Sequence, residues 1–202
     1  MNRKVFFDAC RSGVMGPTLD GGEVSGSEAI LDAMEGLPIS WVAYALATTW
    51  HETAHTMQPI KEYGGNAYFH RMYDIEGNRP HIAKQLGNLI PGDGVKFAGR
   101  GYVQLTGRTN YARAGKKIGE PLECEPDLAM RPDIAAKVLR EGMVEGWFTG
   151  RKFSSYLPSE GTAALDSFKA ARRIINGTDK AAMIARYAAQ FQKALVAAGW
   201  GK

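Results

Sequence analysis

Ile39-Ser40-Trp41-Val42-Ala43-Tyr44-Ala45-Leu46-Ala47-Thr48-Thr49-Trp50-His51-Glu52-Thr53-Ala54-His55-Thr56 is apolar over its first twelve residues apart from Ser40, Thr48 and Thr49, and ends in charge. Its apolar residues (Trp41, Val42, Tyr44, Ala45, Leu46, Trp50) fall on nearly every face of a 3.6-residue period, which predicts a helix from Ile39 to about Thr56 buried at the centre of a core. A chain organised around such a helix is mainly α.

The flanking segments agree. Ser25-Gly26-Ser27-Glu28 opens an amphipathic stretch through Met34, closed by Gly36 and Pro38. From Met57 to Pro91 the pattern dissolves into Gly, Asn, Pro and aromatics, which reads as loop with a short helix near His81–Leu89. Lys96 to Thr106 reads as a short strand or ribbon broken by Gly99 and Gly101, and Gly107 to Gly119 returns to helix. Arg131-Pro132-Asp133 starts another helix, with Ala136, Leu139, Met143 and Trp147 on one stripe and Gly150 as its stop. Two more are expected over Ala163–Ile175 and Asp179–Ala198, the last with Ile184, Ala188, Phe191 and Leu195 inward. No linker composition interrupts residues 1–202, so one catalytic domain of two lobes, without a separate binding module, is the simplest organisation.

With 45% hydrophobic and 23% charged residues, the chain can bury a core without metal or disulfide staples. A net charge of +4 suggests an anionic partner: nucleic acid, a membrane surface or a wall polymer. Arg172-Arg173 and Lys116-Lys117 are only pairs, so nucleic acid is not expected. Cys10 and Cys124 are the only cysteines and form no CxxC, which reads as two free thiols in a protein made in the cytosol, with a single bridge left open. Met1 to Asp8 meets charge before any apolar run forms, and no run has the length of a membrane span, so neither a signal peptide nor stable membrane insertion is expected. A substrate outside the cytoplasm would then require a separate release partner.

His51-Glu52-Thr53-Ala54-His55 matches H-E-x-x-H, which on a helix sets two imidazoles one turn apart for Zn²⁺. Against a zinc protease stand the lack of a recognisable third ligand among Glu62, His70, Glu76 and His81, and Gln58-Pro59, which ends the helix just past His55. No metal and no cofactor are expected.

A glycosidic bond is hydrolysed by two carboxyl groups in unlike surroundings, one protonated and one ionised. Glu52 fits the acid, since burial at the exit of an apolar helix would favour its neutral form. Glu62 lies ten positions on, in a polar loop with Lys61, Gly64, Gly65 and Asn66, where it should stay ionised and polarise a water. Alone, two glutamates at this spacing read more readily as plain surface charge than as a catalytic pair. The segment Gly99-Arg100-Gly101-Tyr102-Val103-Gln104-Leu105-Thr106-Gly107-Arg108-Thr109-Asn110-Tyr111 adds a second element. If extended, it presents Gln104 and Thr106 on one face, an amide and a hydroxyl suited to sugars and to orienting a water. Gly99 and Gly101 let a ligand lie close to the backbone.

Together, His51-Glu52-Thr53, then Glu62 with Asn66 and Tyr68, then Gly-Arg-Gly-Tyr-Val-Gln-Leu-Thr-Gly with Asn110-Tyr111, and later Ile174-Ile175-Asn176-Gly177, resemble glycoside hydrolase family 19, in the family's order and over about residues 38–190. That family holds plant-type chitinases and many phage endolysins. The resemblance implies a mainly α, lysozyme-like, two-lobed helical fold with a small β-ribbon and a substrate cleft between the lobes. It implies Glu52 as catalytic acid, Glu62 as base and Thr106 as a holder of the water. It places Gln104, Asn110 and Asn176 among substrate-binding positions, with Tyr68 and His51 lining the cleft. Thr109 departs from the aromatic that the family's chitinases often carry there, which bears on chitin-type contacts.

Chitinases of the family usually carry several cysteines. This short, basic, cysteine-poor chain looks more like a phage or prophage endolysin, a monomer made in the cytoplasm and acting on peptidoglycan after release, with a holin-type protein as release partner. Chitin remains the alternative substrate. A lytic transglycosylase needs no water-activating base, so Glu62 and Thr106 speak against it, and a wall-binding protein needs neither carboxyl.

Overall fold

In the computed structural model, which describes residues 1–201, the apolar run folds as a helix that stops at Glu52. In chain order the elements are α1 (Arg3–Arg11), α2 (Gly21–Ala33), α3 (Ile39–Glu52), β1 (Ile60–Lys61), α4 (Asn66–Tyr73), α5 (Pro80–Leu86), α6 (Asp93–Lys96), β2 (Arg100–Gly101), α7 (Arg108–Ile118), α8 (Pro132–Glu145), α9 (Leu165–Ala171) and α10 (Ala181–Ala197). The chain is mainly α with one two-stranded ribbon, and it divides into two compact units, residues 1–58 with 139–202, and residues 59–138. Among the described residues, no helix is long and apolar enough to cross a membrane.

The first unit is built on α3. Every residue from Val42 to Trp50 is buried, and α10 and α2 pack against the helix. Helix α1 closes on α10 through Phe6 and Phe191, whose rings stack 6.5 Å apart, and Trp41 stacks on Phe153 at 5.1 Å. Helix α1 was not expected, since Met1 to Asp8 was weighed only as a signal peptide, although Phe6, Phe7 and Cys10 set out one buried face. Helix α2 starts at Gly21 rather than near Ser25, because Asp20 caps it: Asp20 accepts from the Glu23 N–H, and Glu23 accepts from the Asp20 N–H. Gly26 of α2 is required by close approach, since a Cβ there would lie 1.7 Å from the Met57 carbonyl oxygen. The expected helix over 163–175 is α9 followed by a 3-10 turn, Arg172–Ile174.

Helix α3 was expected to run to Thr56, and the correction has a clear cause. The Thr53 hydroxyl donates to the Thr49 carbonyl (2.8 Å) and accepts from the Met57 N–H (3.0 Å), folding the chain back on the helix end. Ala54 (φ 50), His55 (φ 71) and Met57 (φ 53) then take left-handed backbone, at about 1 kcal/mol each. The His55 ring stacks on Trp50 at 4.6 Å, which helps offset that cost.

The second unit corrects the reading of residues 57–106 more strongly. The short helix expected near His81–Leu89 forms as α5, Pro80–Leu86, but α4 forms within what was expected to be loop; both are short helices held by a few buried groups. Phe69 is the buried residue of α4 and stacks on Tyr73 one turn later, at 6.5 Å. Asp74, fully buried, accepts from the Gly92 and Gly94 N–H groups (2.8 and 3.0 Å), and Asn88 links the Tyr73 carbonyl to the Arg108 N–H.

Nor is Lys96–Thr106 one extended strand. Only Arg100–Gly101 pairs, antiparallel to Ile60–Lys61, and the chain then turns through Gln104 (φ 54) so that Leu105 bridges back to Arg100. The Arg100 guanidinium is buried and holds the turn from inside, donating to Asp127 (2.7 Å) and to the Lys96 and Ala98 carbonyls.

Candidate active site

Glu52 is the last residue of α3, and its Oε1 accepts a hydrogen bond from Arg172 Nη1 at 2.6 Å. The apolar enclosure expected around Glu52 is therefore replaced by an ion pair, with the glutamate side chain 26% exposed and the arginine 3%. Arg172 opens the 3-10 turn after α9, and its Nε donates to the Asp179 carbonyl (3.0 Å), so a buried guanidinium ties Glu52 to the 172–179 segment. The sequence reading saw Arg172 only as half of a basic pair. The available signal was its place four residues after Phe168, on the stripe that Phe168, Ala171 and Ile174 bury.

His51, on the last turn of α3, is half-buried. Burial holds its imidazole below the ordinary value, with Glu52 pulling upward and Arg172 and His55 pushing further down. The lowered value favours the uncharged imidazole. Asn176 lies exposed on the 172–179 segment, its N–H donating to the Arg172 carbonyl and its Oδ1 accepting from the Gly177 N–H.

Glu62 directly follows β1, and its N–H continues the ribbon by donating to the Gly99 carbonyl at 2.8 Å. Its carboxylate is not loose in a wet loop. Oε1 accepts from the Tyr73 hydroxyl at 2.7 Å and Oε2 from the Gly99 N–H at 3.2 Å. Burial and the facing Glu62 carboxylate both raise the Tyr73 pKa, so its proton stays in that hydrogen bond. Tyr73 was not foreseen, because α4 was read as loop; once a helix is drawn there, Tyr73 is a second aromatic one turn after Phe69.

Gln104 and Thr106 are brought together, but by the turn rather than by strand alternation. The Thr106 hydroxyl donates to the Gln104 carbonyl (2.9 Å), and Gln104 Nε2 donates to the Ile60 carbonyl (3.1 Å). Their side-chain oxygens converge over the bare backbone of Gly99. A Cβ there would lie 2.7 Å from Gln104 Oε1, 3.0 Å from Glu62 Oε2 and 3.1 Å from Thr106 Oγ1. Asn110 stands behind this ring, donating to the Thr106 carbonyl (2.7 Å). Tyr68, half-buried on α4, meets Tyr73 edge-on at 6.5 Å and carries the Arg71 guanidinium over its face. Thr109 fits against the Gly87 turn, where a Cβ on Gly87 would lie 1.9 Å from Thr109 Oγ1.

The H-E-x-x-H pair is not set one helical turn apart. With α3 ended at Glu52 and His55 in left-handed backbone, the His55 ring lies on Trp50 and its Nε2 is 3.5 Å from the Tyr187 hydroxyl. Among the described residues, donor atoms of metal-ligand type gather at His70, Asp74 and Glu76, within 4.8 Å of one another. Asp74 spends one of its oxygens on two backbone N–H groups. Both cysteines are free thiols.

Residues 39–151 match the family model described as chitinase class I, glycoside hydrolase family 19. The chain belongs to glycoside hydrolase family 19. Among curated relatives, a family 19 domain-containing protein of Haemophilus influenzae is 34% identical over 105 residues, 51% of this chain and 48% of that one. An acidic endochitinase of Petunia hybrida is 39% identical over 88 residues, 43% of this chain and 28% of that one. The alignments thus span less than half the length of either relative. Chitinase C of Streptomyces griseus has a similar structure, with TM-score 0.56 and 20% identity over 98% of this chain and 76% of that one. A bacterial family 19 chitinase follows with TM-score 0.52 and 19% identity over 98% of this chain and 94% of that one. These likenesses bear on the fold, which is the lysozyme-like fold of family 19 chitinases.

Proposed function

We propose that the protein is an endolysin-type glycosidase that hydrolyses β-1,4 linkages of peptidoglycan with inversion, Glu52 serving as acid and Glu62 as base. The observation that carries this reading is the convergence of the Glu62, Gln104 and Thr106 oxygens over Gly99, with Glu62 held by Tyr73. Three oxygens, one of them anionic, facing a stretch of bare backbone make a seat for a water: the carboxylate takes its proton while the hydroxyl and amide fix its direction.

In this mechanism the water attacks the anomeric carbon as Glu62 removes its proton, and Glu52 protonates the departing glycosidic oxygen. Arg172 grips Oε1 of Glu52, leaving Oε2 to carry that proton. Inversion requires the two carboxyls to stand about 6.5–9.5 Å apart, room for sugar and water together. Burial, which disfavours the charged form of His51, keeps a competing charge from the acid's side. Tyr68, Asn110 and Asn176 would contact the sugar chain.

Peptidoglycan is favoured over chitin because its peptide stems are anionic and this chain carries a net charge of +4. Thr109, packed at the Gly87 turn, offers no aromatic platform of the kind chitinases use. The same reading has the protein made in the cytoplasm of a phage- or prophage-bearing cell and reaching the wall through a holin-type partner.

The test is clearing of outer-membrane-permeabilised cells, with mass analysis of the fragments and a parallel assay on chitin oligosaccharides. New reducing ends carrying added water are expected. Anhydro-sugar products would exclude the hydrolytic mechanism, and cleavage of chitin alone would move the substrate to the chitinase alternative.

A further inference from the structure

In the same unit as Glu52, Lys169, Arg173, Lys180 and Arg186 surround a concavity of about 510 Å³ that the glycosidase mechanism does not use. Four of its ten lining residues are Lys or Arg, against 25 in 202 for the whole chain, so the charge is concentrated there. All four are exposed, and none is ion-paired among the described residues. Like charges gathered round one hollow repel one another, and an anion seated among them relieves that repulsion. Asp166 on the same wall gives the hollow a mixed pattern, several positive charges and a negative one.

Its position ties it to the candidate acid. Arg172 holds Glu52 and donates to the Asp179 carbonyl, while Arg173, Thr178 and Lys180, its neighbours on that short segment, face the hollow. The segment that anchors Glu52 thus also supplies three residues of the pocket wall. Chitin is uncharged and offers nothing to four cations. A peptidoglycan stem carries several carboxylates and, in its diamino-acid residue, an ammonium group that suits Asp166. A phosphate polyanion would satisfy the cations but meet repulsion from Asp166.

We propose that this concavity binds the peptide stem of peptidoglycan through its carboxylates, an assignment that rests on the wall-glycosidase reading and names the part of the substrate that sets its preference. The test uses the full chain and the double variant Lys169→Ala/Arg186→Ala, which changes two exposed side chains that make no ion pair. Glycan strands bearing stems and the same strands stripped of stems by an amidase are the two substrates, with free stem tetrapeptide as a binding probe. The parent should cleave stem-bearing strands faster. The double variant should lose about tenfold more kcat/KM on stem-bearing than on stripped strands, the scale of two exposed charge pairs, and bind the tetrapeptide correspondingly more weakly. Equal losses on both substrates, or undiminished tetrapeptide binding, would overturn the assignment. So would a defect seen only on sacculi that retain phosphate polymers. A parent that cleaves neither strand would instead overturn the glycosidase reading, with tetrapeptide binding still deciding the pocket.

Discussion

The Tyr73 hydroxyl donates to Glu62 Oε1 at 2.7 Å, so one oxygen of the candidate base is fixed by a side chain and the other by the Gly99 N–H. A base that must aim at a single water gains from such a grip, because misplacement by about 1 Å can cost 10²-fold in rate. Tyr73→Phe keeps the ring that stacks on Phe69 and removes only the hydroxyl. We expect kcat on peptidoglycan to fall about tenfold, or about 1.4 kcal/mol of barrier, with KM and melting temperature near the parent's. Unchanged kcat in a reducing-end assay would mean that Tyr73 does not position Glu62.

Gly99→Ala tests the convergence of oxygens directly. The new methyl would press on Glu62 Oε2, Gln104 Oε1 and Thr106 Oγ1 at 2.7–3.1 Å and occupy the approach to the water seat. A loss of about 10²-fold in turnover is expected, with a circular-dichroism spectrum like the parent's. Thr106→Ala should be milder, since the carboxylate and amide remain. Near-parent turnover of Gly99→Ala would remove the water seat from the mechanism.

Glu52→Gln should abolish turnover while leaving the protein folded, since the amide oxygen can still accept from Arg172. Arg172→Leu is different in kind. It leaves Glu52 without its partner and the Asp179 carbonyl without a donor, and a cost of about 2–4 kcal/mol is expected, below the fully buried limit because Glu52 is partly exposed. Chemical denaturation of both variants checks this contrast, and an Arg172→Leu protein as stable as Glu52→Gln would contradict it.

The acid limit of the fold should depend on Asp93 and Arg108, joined by bonds of 2.9 and 2.5 Å. Burial alone would raise the Asp93 pKa, but Arg108 and the Ile90 and Leu89 N–H groups outweigh it and hold the carboxyl below its ordinary value. A carboxyl whose pKa is lowered by folding adds stability that is complete above its unfolded value, about 3.9, and is lost as pH falls through the lower folded value. The melting temperature of Asp93→Asn should therefore lie below the parent's at pH 7, by an amount equivalent to about 1–2 kcal/mol. That gap should narrow only below about pH 4. A gap of constant size from pH 7 to pH 2 would contradict the assignment.

The mainly α fold was legible because period and composition act locally. An apolar face all round residues 39–50 can only be a central helix, and Pro132, the glycine stops and the stripe of Ile184, Ala188, Phe191 and Leu195 mark helices wherever the chain is long enough to repeat a pattern. Glu52, Glu62, Gln104 and Thr106 were legible as residue types suited to the chemistry. Their arrangement was not. Gln104 and Thr106 meet through left-handed backbone at residue 104, held by the buried Arg100 and the Leu105 bridge nearby and by the Ile60 carbonyl, which accepts from Gln104 Nε2 across 44 positions. The stop of α3 was visible as Gln58-Pro59 yet occurs earlier, at Glu52, where Thr53 takes the place of the next turn's hydrogen bonds.

The chain's own residues, then, settle a helical core through their periodic patterning, and they carry the acidic and polar groups and the motifs by which the chain resembles family 19. Tertiary structure alone decided that Arg172 would grip Glu52 from 120 positions away, that Tyr73 would hold Glu62, and that Gly99 would lie open beneath three oxygens. None of these contacts follows from a local preference, whether they span 120 positions at Glu52 or 11 at Glu62; they exist because packing the helices and turns brings those side chains together.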